Sequence, residues 1–210
     1  MNYWFNTPDS NTLCRGGGNG PIHPSQFMGL AYINLGDSVL DVGCGSGASL
    51  EIMRKTLGDN IKYKGVDFIQ KHIDWCKQTF TGEVFEVQNA LSLKELDKSW
   101  DVVWSRHVID HLRSFESGIT EQMRVAKRAV ICILWRPFVQ SENHEIKNIV
   151  DGGKTYVDEY TNDYSRIAVK KFLDNQSDWN YKIIEEIGYS YKRTDTLIVI
   201  ERINKEPERL

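Results

Sequence analysis

Residues 39–50 read Val39-Leu40-Asp41-Val42-Gly43-Cys44-Gly45-Ser46-Gly47-Ala48-Ser49-Leu50. They begin as a short apolar run of strand length and then carry three alternating glycines. From Ser46 onward Leu50, Met53 and Leu57 recur at the spacing of one helix face, and Gly58 stands where a helix C-cap belongs. Glycines at a strand-to-helix junction let the backbone turn sharply and let a ligand lie against main chain with no Cβ in the way. The helix start adds unpaired N–H groups and positive dipole potential, which suit a carboxylate or another anion. In an open α/β sheet this crevice, at the carboxyl ends of the strands, is where ligands bind. The spacing here is GxGxG followed by Ala48, whereas a dinucleotide fingerprint reads GxGxxG. Asp41, two residues before the first glycine, would repel a pyrophosphate and would welcome a cationic amino group.

Outward from this turn, strand and helix alternate. Residues 61–66 read as a second strand, and Ile69, Ile73, Cys76 and Phe80 mark the face of a helix. Residues 84–87 and 100–104 are a third and a fourth strand. Phe115, Ile119, Met123 and Ala126 line a further helix, and the fifth strand, residues 129–135, is apolar on both faces. The expected fold class is therefore α/β, a doubly wound sheet covered by helices on both sides. A short helix over 25–33 precedes this core, which spans 36–137. Residues 1–35 form an N-terminal segment, with Tyr3, Trp4 and Phe5 either a lid over a ligand or packing on the sheet edge. Residues 138–180 are polar and aromatic, with one helix near 165–173, and read as an insertion on the substrate side. Residues 181–186 and 196–202 close the chain as two strands whose short polar connection makes them antiparallel neighbours. All of this fits one domain of 210 residues.

Composition narrows the function. Lys plus Arg is 26 and Asp plus Glu is 29, a net charge of −3, which argues against a wholly basic, nucleic-acid-gripping surface. No stretch approaches the roughly 20 apolar residues of a bilayer span. The N-terminus shows no basic start leading into an apolar run, so no signal peptide is expected. Cys14, Cys44, Cys76 and Cys132 are far apart and show no zinc spacing, so they read as buried thiols of a cytoplasmic protein, with no metal expected.

Asp41-Val42-Gly43-Cys44-Gly45-Ser46-Gly47 resembles motif I of the class I S-adenosylmethionine-dependent methyltransferases. Gly65-Val66-Asp67-Phe68 is similar to the family's acidic position, whose carboxylate binds the ribose hydroxyls; Asp67 lies 20 residues past Gly47, as a ribose carboxylate in a βαβ unit should. Gln88-Asn89-Ala90 occupies the adenine-edge position, where the family more often has Asp than Asn89. The segment from Trp100 to Leu112, which includes Ser105-Arg106-His107-Val108-Ile109-Asp110-His111, is similar to the family's motif IV and the adjoining stretch that lines the reaction centre. The resemblance covers about residues 36–136. It implies a mostly parallel seven-stranded sheet ending in an antiparallel hairpin. It also implies S-adenosylmethionine as cofactor, S-adenosylhomocysteine as product, and contacts from Asp41, Gly43, Gly45, Gly47, Asp67, Phe68, Asn89, Ala90, Ser105 and Arg106.

Methyl transfer from a sulfonium is an in-line displacement in which positioning supplies much of the acceleration. An oxygen or nitrogen acceptor must also lose a proton, and histidine is the side chain suited to take it near neutral pH. His107 and His111 follow the fourth strand and are the two candidates, with Asp110 either orienting an imidazole or capping the next helix. Arg15 is a candidate for the methionine carboxylate or else a solvated loop residue, and Arg136 either holds an anionic acceptor or pairs with a carboxylate. Tyr156, Tyr160, Tyr164 and Trp179, with Asp158, Glu159 and Asp163, are either a sugar or amine pocket or a plain cover. The acceptor expected is a small molecule. A nucleic acid is disfavoured by the mild acidity and by the lack of an Asn/Asp-Pro-Pro-Tyr motif. The competing readings are a nicotinamide-dependent oxidoreductase and a cofactor-binding scaffold without turnover.

Overall fold

In the computed structural model, residues 23–151, 154–190 and 193–203 are described. Tyr3, Trp4, Phe5, Cys14 and Arg15, with the roles considered for them, lie outside these residues. The strand–helix alternation forms in the expected order: α1 (Pro24–Leu30), β1 (Ser38–Val42), α2 (Ala48–Leu57), β2 (Lys62–Asp67), α3 (Gln70–Thr79), β3 (Val84–Val87), β4 (Trp100–Arg106), a 3-10 turn (Ile109–His111), α4 (Phe115–Val125) and β5 (Ala126–Leu134). There follow β6 (Asn143–Asp151), β7 (Lys154–Asp163), α5 (Arg166–Asp174), β8 (Trp179–Ser190) and β9 (Arg193–Arg202). Seven strands make one sheet in the order β3-β2-β1-β4-β5-β9-β8. β1 to β5 pair in parallel, and β9 pairs antiparallel with both β5 and β8.

Period-two alternation along the strands divides the core between the two faces. Val39, Val102, Trp104, Ile131 and Ile133 bury with Leu30, Leu50, Met53 and Ile73 on one side. Leu40, Val42, Val103, Val130 and Cys132 bury with Phe115, Ile119, Met123 and Leu173 on the other. Both faces are apolar because helices cover both, as a parallel sheet requires. β1 lies between β2 and β4, so the chain winds outward in opposite directions from the β1–β4 boundary. The crevice at that switch point opens above the carboxyl ends of these strands.

Three local differences from the sequence expectation have physical causes. α2 begins at Ala48 rather than Ser46, because Gly45 and Gly47 adopt left-handed φ values of 53° and 85° and keep the chain out of helix until the turn is complete. β8 and β9 extend well beyond the expected pair, although their register shifts near Ile187 and again before Ser190. The segment 138–180 contains the antiparallel β6–β7 hairpin, paired apart from the main sheet, as well as the expected helix. The sequence of these two strands is largely polar, so it carries no period-two hydrophobic signal. The Gly152-Gly153 pair, a strong hairpin dipeptide, was the available cue.

Among the described residues, no helix is long and apolar enough to cross a membrane. Cys44, Cys76 and Cys132 are buried free thiols.

Candidate active site

A cleft of about 570 Å³ opens at the switch point. Its walls come from the glycine turn (Gly43, Cys44, Gly45 and Ser46), the end of β2 (Asp67 and Phe68), the segment after β3 (Gln88 to Leu91) and the segment after β4 (Arg106 to Val108, and His111 to Arg113). Tyr160 of β7 completes it, so the inserted hairpin reaches the same cavity.

The glycines differ in what each position requires. At Gly43, φ is 73° and a Cβ would meet Val108 Cγ2 at 2.2 Å, so the turn is packed directly against the β4 loop. At Gly47, φ is 85° and a Cβ would lie 2.4 Å from the Phe80 ring. At Gly45 only the φ of 53° is restrictive, since a Cβ there meets nothing within 4 Å. Gly47→Ala is expected to cost about 2–4 kcal/mol of stability, from left-handed strain together with overpacking on Phe80. Gly45→Ala should cost only about 1–2 kcal/mol, for the strain alone. Denaturant midpoints of the two variants test this order.

Asp67 stands at the centre of the cleft's polar wall. One carboxylate oxygen accepts the Gly45 N–H at 2.9 Å and the other accepts the Ile69 N–H at 2.9 Å. His72 Nδ1 lies 3.5 Å from the same group. A carboxylate has about four acceptor sites, so these bonds fix its orientation without exhausting it. Asn89 uses its side-chain oxygen to accept the Leu91 N–H at 2.9 Å, and this shapes the loop that lines the cleft.

Of the residues expected at the site, Gly43, Gly45, Asp67, Phe68, Asn89, Ala90, Arg106, His107 and His111 come together around the cleft. Asp41, Gly47 and Ser105 are not among its lining residues. Asp41 is the penultimate residue of β1, so the strand's alternation turns it beneath the glycine turn. There it is fully buried and accepts the Tyr63 hydroxyl at 2.7 Å. In this structure Asp41 thus bonds to β2 through Tyr63, away from the cleft's lining residues. Ser105 faces α4 instead, donating to Gln122 Oε1 at 3.0 Å, and Gly47 caps α2.

Burial pushes the Asp41 pKa up to about 7, against the opposing hydrogen bond from Tyr63. The folded protein thus holds this proton up to about pH 7, while the unfolded chain releases it near the ordinary value. Wild-type stability from this group is full below about pH 4 and is lost as pH rises to about 7. Relative to the wild type, Asp41→Asn should gain on the order of a few kcal/mol between those pH values and nothing further above them. Urea unfolding of both proteins across that range measures it.

After β4 the chain is strained. His107 has φ 55°, rare for a residue with a Cβ, and is held there by its N–H donating to the Ile133 carbonyl at 2.7 Å. Its ring stacks on Trp135, with centroids 5.9 Å apart and an interplanar angle of 22°. Burial drives its pKa down to about 4, so the imidazole is neutral at pH 7. His111 has Nδ1 2.9 Å from the Tyr160 carbonyl oxygen. A carbonyl only accepts, so Nδ1 carries the proton and His111 ties the hairpin to the turn. Asp110 is buried and accepts the Trp135 N–H at 3.1 Å, and the cap of α4 is Ser114 instead. Arg136 pairs with Asp163 at 2.7 Å. Tyr164 is buried, bonding the Ile109 carbonyl at 2.9 Å. Tyr156, Asp158 and Glu159 fall in the part of β7 whose side chains are outside the described set.

A family model for a methyltransferase domain matches residues 33–188. The chain belongs to the methyltransferase-domain family. Its seven-stranded sheet is that of the class I S-adenosylmethionine-dependent methyltransferases, as the four sequence motifs implied. It is 32% identical over 113 residues to 2-methyl-6-phytyl-1,4-hydroquinone methyltransferase of Synechocystis, covering 52% of this chain and 35% of that one. It is also 32% identical over 104 residues to ajmaline N-methyltransferase of Rauvolfia serpentina, covering 46% and 35%. The chain thus spans about a third of the length of these curated relatives. Among solved structures, magnesium protoporphyrin IX methyltransferase of Synechocystis, with bound S-adenosylhomocysteine, superposes with a TM-score of 0.60 at 15% identity, covering 89% of this chain and 90% of that one.

The methyltransferase site also contains residues that sequence reasoning did not single out. His72 and Arg113 line the cleft, and Asp195 lies 3.3 Å from His107; Tyr160, one of the aromatic residues singled out in the 138–180 segment, lines it too. His72 is buried in α3 beside Lys71, where the sequence alone reads as an ordinary polar helix position. Asp195 comes from the last hairpin, 88 residues beyond His107, and no local spacing links the two.

Proposed function

We propose that this chain binds S-adenosylmethionine in the β1–β4 cleft and transfers its methyl group to an oxygen or nitrogen of a small-molecule acceptor. The arrangement of Asp67 over the glycine turn carries this reading. It is an oriented carboxylate with acceptor capacity left, set beside Gly45, where a Cβ would meet nothing within 4 Å. When bound, the cofactor supplies an electrophilic methyl on a sulfonium. Asp67 would hold the ribose hydroxyls; Phe68, Asn89 and Ala90 would flank the adenine; Gly43, Gly45 and Arg106 would face the amino-acid end. Cofactor and acceptor filling the cleft would displace water from the reacting atoms, which would strengthen electrostatic contacts there. His107, neutral and in the cleft wall, would take the acceptor's proton; His111 stands beside it as the second candidate.

The relatives named above act, by their names, on a hydroquinone, an alkaloid and a porphyrin, which supports a small organic acceptor. Three buried free thiols suit a reducing compartment such as the cytoplasm. The non-catalytic scaffold is the second reading, since most of the cleft's architecture serves binding. Incubation with S-adenosylmethionine and a panel of hydroquinones, phenols, amines and carboxylic acids separates the two. Acceptor-dependent release of S-adenosylhomocysteine is expected; binding without release across the panel would favour the scaffold.

A further inference from the structure

Asp195 is a buried carboxylate on β9 on which two distant parts of the chain converge. Its Oδ2 accepts the Ser25 hydroxyl at 2.6 Å and lies 3.3 Å from His107 Nε2 and 3.2 Å from His23 Nδ1. His23 and Ser25 are the cap and first turn of α1, and His23 Nδ1 is also 2.7 Å from Ser25 Oγ. The His107 side chain is only 18% exposed and that of Asp195 6%. An ionised carboxylate in such a place can accept but not donate. The 3.3 Å approach is an electrostatic contact rather than an aligned hydrogen bond, and the negative charge favours the neutral imidazole that carries its proton on Nε2 and its lone pair on Nδ1.

We propose that Asp195 is a positioning residue that holds His107 as the Nε2–H tautomer, making Nδ1 the atom that takes a proton, and that Ser25 of α1 fixes the carboxylate for this task. The inference rests on the methyl-transfer reading for its use and on geometry for its content. His107 is restrained three ways: by its strained backbone, by stacking on Trp135 and by Asp195 at Nε2. Restraint of this kind gives a catalytic side chain one geometry instead of several. Burial opposes the charge on Asp195, but His107, Ser25 and His23 outweigh it and keep its pKa below the ordinary value, so the carboxylate is ionised at neutral pH. The arrangement also makes α1, outside the cofactor-binding core, part of the catalytic apparatus.

The tautomer can be read without cofactor or acceptor, from two-bond proton–nitrogen correlation spectra of the full 15N-labelled chain at pH 7.5, with His107 assigned by the spectrum of His107→Gln. His107 is expected to show a pyrrole-like Nε2 and a pyridine-like Nδ1. Asp195→Asn, whose amide can donate as well as accept, should shift the tautomer ratio toward Nδ1–H by about fivefold or more, and Asp195→Glu should restore it in part. Ser25→Ala leaves Asp195 in place and should move the ratio in the same direction by a smaller factor; it serves if Asp195→Asn does not fold. An Nδ1–H tautomer in the wild type, or a ratio unchanged by these variants, would overturn the proposal. Because no ligand enters the measurement, its result is independent of calorimetry with S-adenosylhomocysteine, which tests the methyl-transfer reading.

Discussion

Asp67→Ala is expected to weaken binding of S-adenosylhomocysteine by on the order of 2–3 kcal/mol, or about 30- to 150-fold. Two losses add. The first is the pair of charge-assisted bonds that an ionised carboxylate makes to a ribose, each stronger than a neutral hydrogen bond. The second is internal: the carboxylate fastens the Gly45 and Ile69 N–H groups at 2.9 Å, so its removal loosens the turn that must face the ligand. Asp67→Asn separates the two. It keeps the side chain's size and one accepting oxygen, and should fall between the wild type and Asp67→Ala. Titration calorimetry gives the affinities, and thermal melts show whether the fold is retained. An affinity for Asp67→Ala equal to that of the wild type would remove the ribose assignment.

His107→Ala is expected to lower turnover by about 10²-fold or more while leaving the affinity for S-adenosylhomocysteine within a few-fold of wild type. The split follows from placement. His107 follows β4, whereas Asp67, the proposed ribose contact, ends β2 on the other side of β1. Its depressed pKa keeps the imidazole neutral and ready to accept at every pH above about 4, so this group should impose no loss of rate between pH 6 and 8. The variant also relieves little strain, because alanine at φ 55° is disfavoured too. Single-turnover rates with an acceptor found in the panel measure the effect. A rate near wild type would take His107 out of proton transfer and leave His111 as the other candidate base.

The fold was legible because its signals are local. The β1–α2 glycine turn, the apolar strands and the 3–4 spacing of α2, α3 and α4 each lie within about a dozen residues; each element formed, with boundaries shifted by a few residues, as where Ala126, read as helix, begins β5. The closing antiparallel pair was legible from a short connection. The site was legible where it too is local: Asp67 and Asn89 sit at the ends of consecutive parallel strands, and the sheet delivers them to one crevice. The surroundings of Asp41 were not legible, because a motif gives a residue's position in the chain but not the face to which the strand's alternation turns it; Tyr63 of β2 supplies its partner. The same holds for Ser105, whose partner is Gln122 of α4. Asp195 and Ser25 were missed because their 170-residue separation is closed only by tertiary packing. The hairpin at 143–163 was missed because a two-stranded element of largely polar sequence has no hydrophobic period to read.

Calorimetric titration of the purified chain with S-adenosylhomocysteine tests the central claim most directly, that the β1–β4 cleft is built for a sulfonium nucleoside. A saturable heat with one site per chain is expected, lost or strongly weakened in Asp67→Ala and absent with NAD. No saturable heat up to about 1 mM, a binding free energy weaker than about −4 kcal/mol, would contradict it.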